Sequence, residues 1–188
     1  MIRPLAVLLV FVATLTTQGA PGLKSKGATL YYPTTVGARW VYEYRGIENT
    51  SVVTRVEEKE GAFVVDVAAV SDGQETPSQQ VRVSGASVFR LSIKGTPLPN
   101  PECLLKLPHK DGQEWEVDLG PANGGTAKLT AAGRETVETP AGRFDAIRVE
   151  RVGGNAATYW FAEGIGLVKY THNKSEGILK SFAPGTKK

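Results

Sequence analysis

The stretch Glu114-Trp115-Glu116-Val117-Asp118-Leu119 decides the fold class of this chain. Its acidic and apolar residues alternate without a break, which is the period of a β-strand with one buried and one solvated face. Shorter runs of the same alternation recur from Gly37 to Phe182, separated by glycine-containing turns about every eight to twelve residues. This spacing predicts an antiparallel all-β domain.

The number of runs predicts about ten strands, arranged as a large bent antiparallel sheet or as an open or half barrel. Apolar residues nowhere recur at helical spacing for more than a turn or two, so at most one short helix is expected. The segment Lys94 to Pro101 contains prolines, which lack amide donors and have a fixed φ. We therefore expect a long loop there, which crosses over within one domain.

The first residues have the pattern of an export signal. Arg3 supplies a positive start, an apolar run extends from Leu5 to Ala13, and small and polar residues reach Ala20. This order is typical of a secretory signal peptide, and the apolar run is short for a membrane-spanning helix; an uncleaved anchor is the weaker alternative. We expect a signal peptide at 1–19, a flexible lead-in at 20–30, a single β domain at 31–183 and a flexible tail at 184–188.

Composition argues against several classes of function. The formal net charge is only +3, and the lysines and arginines are scattered instead of forming the basic stripe of a nucleic-acid-binding protein. Cys103 is the only cysteine, so no intramolecular disulfide can form, and its apolar neighbours predict a buried thiol. The sequence has no P-loop and no dinucleotide-binding glycine motif, and no cofactor is expected.

Catalytic and metal-binding patterns are equally weak. His109 and His172 are the only histidines, and neither has a second ligand at the spacing of a metal site. There is no Gly-x-Ser-x-Gly elbow, although a triad assembled from distant positions stays open. The carboxylates of Glu114, Glu116 and Asp118 share one strand face, which is better explained as a solvated outer face than as a cation site. We predict no catalytic residues and no metal.

The aromatic residues are the best candidates for a binding site. On a curved sheet they could line an apolar groove for a lipid-like ligand or form a stacking platform for a sugar, although filling the core is the simpler role for most of them. The candidates all fall on predicted strands: Trp40, Tyr42, Trp115, Tyr159, Trp160 and Phe161.

Four segments together resemble a loosely defined group of exported bacterial β-rich proteins, many of them lipoproteins and mostly of unknown function. They are YYPTTVGARWVY at 31–42, LLKLPHKDGQEW at 104–115, VETPAGRFDAIR at 137–148 and TYWFAEGIGLVKY at 158–170. The group commonly has proline where this chain has Glu163. The resemblance implies a large antiparallel sheet curled like the half-barrels of periplasmic lipoprotein carriers, and it implies no catalytic residues. Because no cysteine stands directly after the apolar run, it also implies a form without a lipid anchor.

Three functions follow as hypotheses. The leading one is an exported, periplasmic or secreted, non-catalytic domain that binds an apolar or amphipathic small ligand in the concave face of the sheet. The first alternative is a secreted hydrolase with a site built from loops. The second is an envelope interaction module that pairs with a protein partner through an exposed strand edge. No transmembrane segment is expected after the signal is removed.

Export makes a direct prediction. N-terminal sequencing of the protein isolated from its native envelope or medium should start near Ala20, because residues 1–19 have been removed. A cytoplasmic protein that starts at Met1 would contradict export.

Overall fold

A computed structural model describes residues 29–121, 125–153, 156–172 and 175–186. The described residues form twelve β-strands and no α-helix, which confirms the all-β class with two strands more than the ten expected. The strands are β1 Arg39–Tyr44, β2 Ile47–Lys59, β3 Ala62–Ser71, β4 Gln74–Val83, β5 Ser87–Ile93, β6 Thr96–Lys106, β7 Glu114–Asp118, β8 Thr126–Thr139, β9 Gly142–Val152, β10 Ala157–Ala162, β11 Gly166–His172 and β12 Ser175–Ala183. The predicted signal peptide lies outside the described residues.

All twelve strands belong to one antiparallel sheet in the order β6-β5-β4-β3-β2-β1-β12-β11-β10-β9-β8-β7. The first and last strands pair in the middle of the sheet, and each half is a meander of hairpins. The sheet curls until its edge strands β6 and β7 meet, which gives a nearly closed barrel. The indole Nε1 of Trp115 on β7 donates to the Cys103 carbonyl on β6 at 2.9 Å. We call the line where these two strands meet the seam.

The segment from Lys94 to Pro101 is not the long loop that its prolines predict. Lys94 and Gly95 form a tight turn with φ of 50° and 75°, and β6 begins at Thr96. The prolines are tolerated because β6 is an edge strand and needs amide hydrogen bonds on one side only. They still disturb the ladder: Pro97 pairs with Ser92 and Glu102 pairs with Arg90, so residues 98–101 bow away from β5.

Strand β8 bends in the middle, at Gly133. Gly133 has a φ of +103°, and the pairing with β9 shifts between Ala131 and Gly133. A residue with a side chain rarely adopts this backbone conformation, so glycine fits the bend. The bend directs the β8–β9 hairpin toward β12, where the amide of Ala141 at its tip donates to the Leu179 carbonyl at 3.3 Å.

The sheet also opens between β11 and β12. Their pairing stops at Lys169 and Ile178, although both strands continue. Side chains of β1 satisfy two of the carbonyls beside this opening. The indole of Trp40 donates to the Ile165 carbonyl at 2.8 Å, and the hydroxyl of Tyr42 donates to the Leu167 carbonyl at 2.5 Å. These aromatic residues therefore replace ladder hydrogen bonds that the separated strands cannot make.

The core follows the strand alternation. On β7, Trp115 and Val117 are buried while Glu114, Glu116 and Asp118 are exposed, as the alternation predicts. The fully buried large side chains come from both halves of the sheet, so the inside of the barrel is filled. They are Phe161, Leu105, Leu129, Ile147, Leu179, Val53, Val65, Val81, Val83, Val88, Val149 and Val168. None of the described residues belongs to a helix long and apolar enough to cross a membrane.

The alternation of β7 yields a stability prediction. Trp115 is 6% exposed and bonds across the seam, so Trp115→Ala should destabilise the protein by roughly 3–5 kcal/mol. Glu116→Ala, one residue on and facing water, should change stability by less than about 0.5 kcal/mol. Chemical denaturation of both variants measures the difference. Equal effects would show that β7 does not present one face to the core.

Candidate functional site

The most unusual group inside the barrel is a buried carboxylate shared by two arginines. Glu102 of β6 is 2% exposed. Its Oε2 accepts from Nη1 of Arg90 on β5 at 2.9 Å, and its Oε1 accepts from Nη1 of Arg151 on β9 at 3.0 Å. A buried charge is tolerated only when it is paired and hydrogen-bonded, and this carboxylate has a cationic partner on each oxygen. We call these three residues the charge cluster.

The charge cluster joins parts of the sheet that are far apart in strand order. Arg90 and Glu102 face each other directly in the β5–β6 ladder. Arg151 comes from β9, which lies on the other side of the seam beyond β7 and β8. The Glu102–Arg151 pair is therefore a contact between the two halves of the barrel that no ladder hydrogen bond provides.

Polar and aromatic side chains extend the charge cluster into the core. The Nε of Arg90 donates to Oε1 of Gln79 at 3.3 Å, and Nε2 of Gln79 donates to the Tyr32 hydroxyl at 3.1 Å. On the other side, the Arg151 guanidinium lies 5.6 Å from the centre of the Tyr159 ring. Burial raises the pKa of both tyrosines, against smaller opposite effects of the arginines, so both hydroxyls are protonated at neutral pH.

A cavity of about 140 Å³ adjoins the charge cluster at the seam. Its lining combines the charged groups with apolar side chains that reach the surface, and Ile93 among them is 41% exposed. We call it the seam cavity. Its lining residues are Arg90, Ile93, Leu98, Pro99, Asn100, Glu102, Asp118, Leu119 and Arg151.

The irregular part of β6 builds this cavity. Residues 98–101 leave the β5 ladder, and three of them, Leu98, Pro99 and Asn100, become cavity wall. Across the seam, Nδ2 of Asn100 donates to Oδ2 of Asp118 at 2.9 Å, while Oδ1 of Asp118 accepts from the Gly120 amide at 2.9 Å. The prolines that break the strand thus create the space, and the Asn100–Asp118 bond holds its wall against β7.

Arg90 has donor capacity toward a ligand. A guanidinium has five N–H donors on three nitrogens. In Arg90, Nε and Nη1 bond to Gln79 and Glu102, while Nη2 makes no hydrogen bond to any described residue. Its side chain is 21% exposed, which allows contact from the seam cavity that it lines.

The six aromatic residues named as binding candidates do not come together at one surface. Trp40, Trp115, Tyr159 and Phe161 are buried in the core. Tyr42 is partly buried, and its hydroxyl donates to the Leu167 carbonyl of β11. Trp160 points the opposite way from its neighbours in the strand; its indole donates to Glu135, and the Lys169 ammonium lies 5.2 Å from its ring centre. Two of the six lie next to the charge cluster. The Tyr159 ring contacts the Arg151 guanidinium, and Trp115 bonds to the carbonyl of Cys103, which directly follows Glu102.

The histidines and the cysteine are not among the residues that line the seam cavity. Nε2 of His109 is 3.2 Å from Oδ1 of Asp111 in the connection between β6 and β7, and neither residue lines the cavity. Cys103 is buried, as its neighbours predict. Burial raises the pKa of its thiol to about 11, so it is protonated and unreactive at neutral pH. The described residues include no group of three or more His, Cys, Asp or Glu side chains placed to hold a metal ion.

A wider groove of about 770 Å³ lies at the opposite end of the strands. It runs past Val36, which is 46% exposed, and its lining carries no charged side chain. Its lining residues are Thr34, Thr35, Val36, Gly37, Val56, Phe63 and Thr186. This groove has apolar surface but no charged side chain that would orient a ligand, so it is a weaker candidate for a binding site than the seam cavity.

The charge cluster is not evident from the sequence. Arg90, Glu102 and Arg151 are separated by 12 and 49 positions, and each stands in an ordinary strand or proline-rich segment. One signal was available: arginine lies on the apolar side of the alternation in both Val88-Phe-Arg90 and Val149-Glu-Arg151. A charged residue in register with buried valines requires a buried partner.

No protein-family model matches the chain, and no curated protein sequence matches it. Its fold is similar to two solved structures. One is a putative lipoprotein from Parabacteroides distasonis ATCC 8503, with a TM-score of 0.52 and 16% identity over 84% of this chain and 100% of that chain. The other is a putative exported protein with YmcC-like fold from Bacteroides fragilis NCTC 9343, with a TM-score of 0.54 and 16% identity over 82% of this chain and 99% of that chain. The chain therefore shares the fold of these two bacterial proteins.

Proposed function

We propose that this chain is an exported, non-catalytic binding domain that holds a small amphipathic molecule in the seam cavity. The observation that carries the proposal is the arrangement of the cavity, which has a buried charge cluster on one side and exposed apolar side chains at its mouth. The polar end of a ligand would bind near Arg90, and its apolar end would lie against Ile93 and Leu98.

The size of the cavity limits what it encloses. Its volume of about 140 Å³ corresponds to roughly four or five water molecules at ~30 Å³ each. Pockets that enclose a whole drug-sized ligand hold about 300–1,000 Å³. The seam cavity therefore takes a polar group with a short stretch of chain, and the rest of a longer ligand would lie along the seam.

Binding fits the lining better than hydrolysis does. Hydrolysis without a metal needs a side chain that is free to act as a nucleophile, or as an acid or base toward the substrate and water. The cavity is lined by arginine, carboxylate, amide and apolar side chains, and the histidines and the cysteine lie elsewhere. Both carboxylates of the lining accept hydrogen bonds on both oxygens, Glu102 from two arginines and Asp118 from Asn100 and the Gly120 amide, which suits a rigid recognition site.

Two independent observations support export. The first is the signal-like pattern of residues 1–19. The second is the fold, which occurs in a putative lipoprotein from Parabacteroides distasonis and a putative exported protein from Bacteroides fragilis. In this proposal the aromatic candidates have different roles: Tyr159 and Trp115 support the charge cluster from the core side, while Trp40, Tyr42 and Phe161 hold the barrel together, and Trp160 belongs to the outer face.

The proposal is tested by titrating the ¹⁵N-labelled protein with 1-hexanol, hexanoate and hexylamine and following amide chemical shifts. At least one probe should shift amides of β5, β6 and β7 in a saturable way. Leu98→Trp, which fills the cavity mouth, should abolish these shifts. Ile47→Trp is the matched control, because Ile47 is 66% exposed and lies outside the cavity lining.

Two results would contradict the proposal. One is that no probe shifts the amides around the seam. The other is that Leu98→Trp binds the probes as the wild type does, which would move the binding site to another part of the barrel, such as the wider groove near Val36.

A further inference from the structure

We propose that the polar group bound in the seam cavity is a carboxylate, held by the guanidinium of Arg90. This inference rests on the proposed function and adds the chemical class of the ligand. It selects monocarboxylic acids with an apolar chain, such as short fatty acids, over alcohols and amines of the same length.

The free donor of Arg90 is the first argument. Nε is committed to Gln79 and Nη1 to Glu102, and both bonds fix the plane of the guanidinium. Nη2 makes no bond to the described part of the chain, so its donors can serve a ligand. A charge-assisted hydrogen bond from a held guanidinium to a carboxylate is shorter and stronger than a bond to a neutral hydroxyl.

The charges around the cavity are the second argument. Its lining holds two carboxylates, which would also suit an ammonium group. Both oxygens of Glu102 already accept from arginines, and both oxygens of Asp118 already accept from Asn100 and the Gly120 amide. Asp118 is also exposed on β7, where water and salt weaken its field. The acceptors are thus engaged, while Arg90 retains a donor.

The shape of the cavity is the third argument. A carboxylate is a small planar anion, and one of its oxygens can accept from Nη2 of Arg90, the guanidinium nitrogen that Gln79 and Glu102 leave available. A volume of about 140 Å³ accommodates this group with a few methylenes. The exposed apolar side chain of Ile93 and the partly buried Leu98 then continue the path for the remainder of the chain.

The experiment compares dissociation constants for hexanoate, 1-hexanol and hexylamine with the wild-type protein at neutral pH. Hexanoate should bind roughly tenfold or more tightly than either of the other probes, because it forms an ion pair with the Arg90 guanidinium, which the neutral alcohol and the cationic amine cannot form. This comparison needs no variant and is unaffected by changes in folding.

Variants then assign the preference to Arg90. Arg90→Gln should remove the preference for hexanoate over 1-hexanol. Arg90→Lys should retain part of this preference, because lysine keeps the positive charge but lacks the planar guanidinium. The matched control is Arg82→Gln on β4, whose guanidinium stacks on the Phe89 ring outside the cavity lining. The control should retain the wild-type preference.

The outcomes separate this inference from the proposed function. If all three probes bind at the seam with equal affinity, or hexylamine binds best, the carboxylate inference is wrong while the binding function stands. If the hexanoate preference persists in Arg90→Gln, the assignment to Arg90 is wrong. If no probe binds at the seam, the proposed function itself is wrong.

Discussion

The architecture depends on one shared carboxylate. Glu102 lies at a place where the sheet is not continuous, because β6 and β7 meet without forming a ladder. By binding Arg90 on its own side and Arg151 on the other, it fixes the distance between the two halves of the barrel. Removing one partner from a buried ion pair typically costs about 3–5 kcal/mol, since the remaining charge has no compensation. The need to pair these buried charges also explains why polar side chains, Gln79 and the Tyr32 hydroxyl, lie next to the charge cluster inside an otherwise apolar barrel.

A bent sheet of twelve strands has breaks, and side chains satisfy backbone carbonyls at two of them. Trp115 donates a hydrogen bond to a carbonyl at the seam. Trp40 and Tyr42 donate to carbonyls beside the opening between β11 and β12. An unpaired buried carbonyl costs about 1–3 kcal/mol, so these aromatics contribute hydrogen bonds as well as apolar area. The polar atoms of these three side chains already bond to the backbone. They therefore stabilise the barrel and do not remain available to a ligand.

Periodicity predicted the fold well and the site poorly. The alternation in β7 and the bend at Gly133 depend on local backbone preferences, which neighbouring residues reveal. The proline-rich start of β6 was expected to be a loop, because sequence does not show that a strand will be at an edge, where missing amides are tolerated. The pairing of Glu102 with Arg151 depends on the curl of the whole sheet. The arginines in register with buried valines indicate that a buried partner exists, but local sequence signals do not show which strands the curl of the sheet brings together.

A double-mutant cycle between Glu102 and Arg151 tests the central claim most directly. Unfolding free energies are measured for Glu102→Gln, Arg151→Gln and the double variant, with Glu135 and Arg148, an exposed pair at 3.3 Å, as the control cycle. If the buried pair holds the seam, its coupling energy should be about 1–3 kcal/mol, against about 0–1 kcal/mol for the exposed pair. A coupling energy at the seam no greater than that of the control cycle would show that the Glu102–Arg151 pair does not hold the two halves of the barrel together.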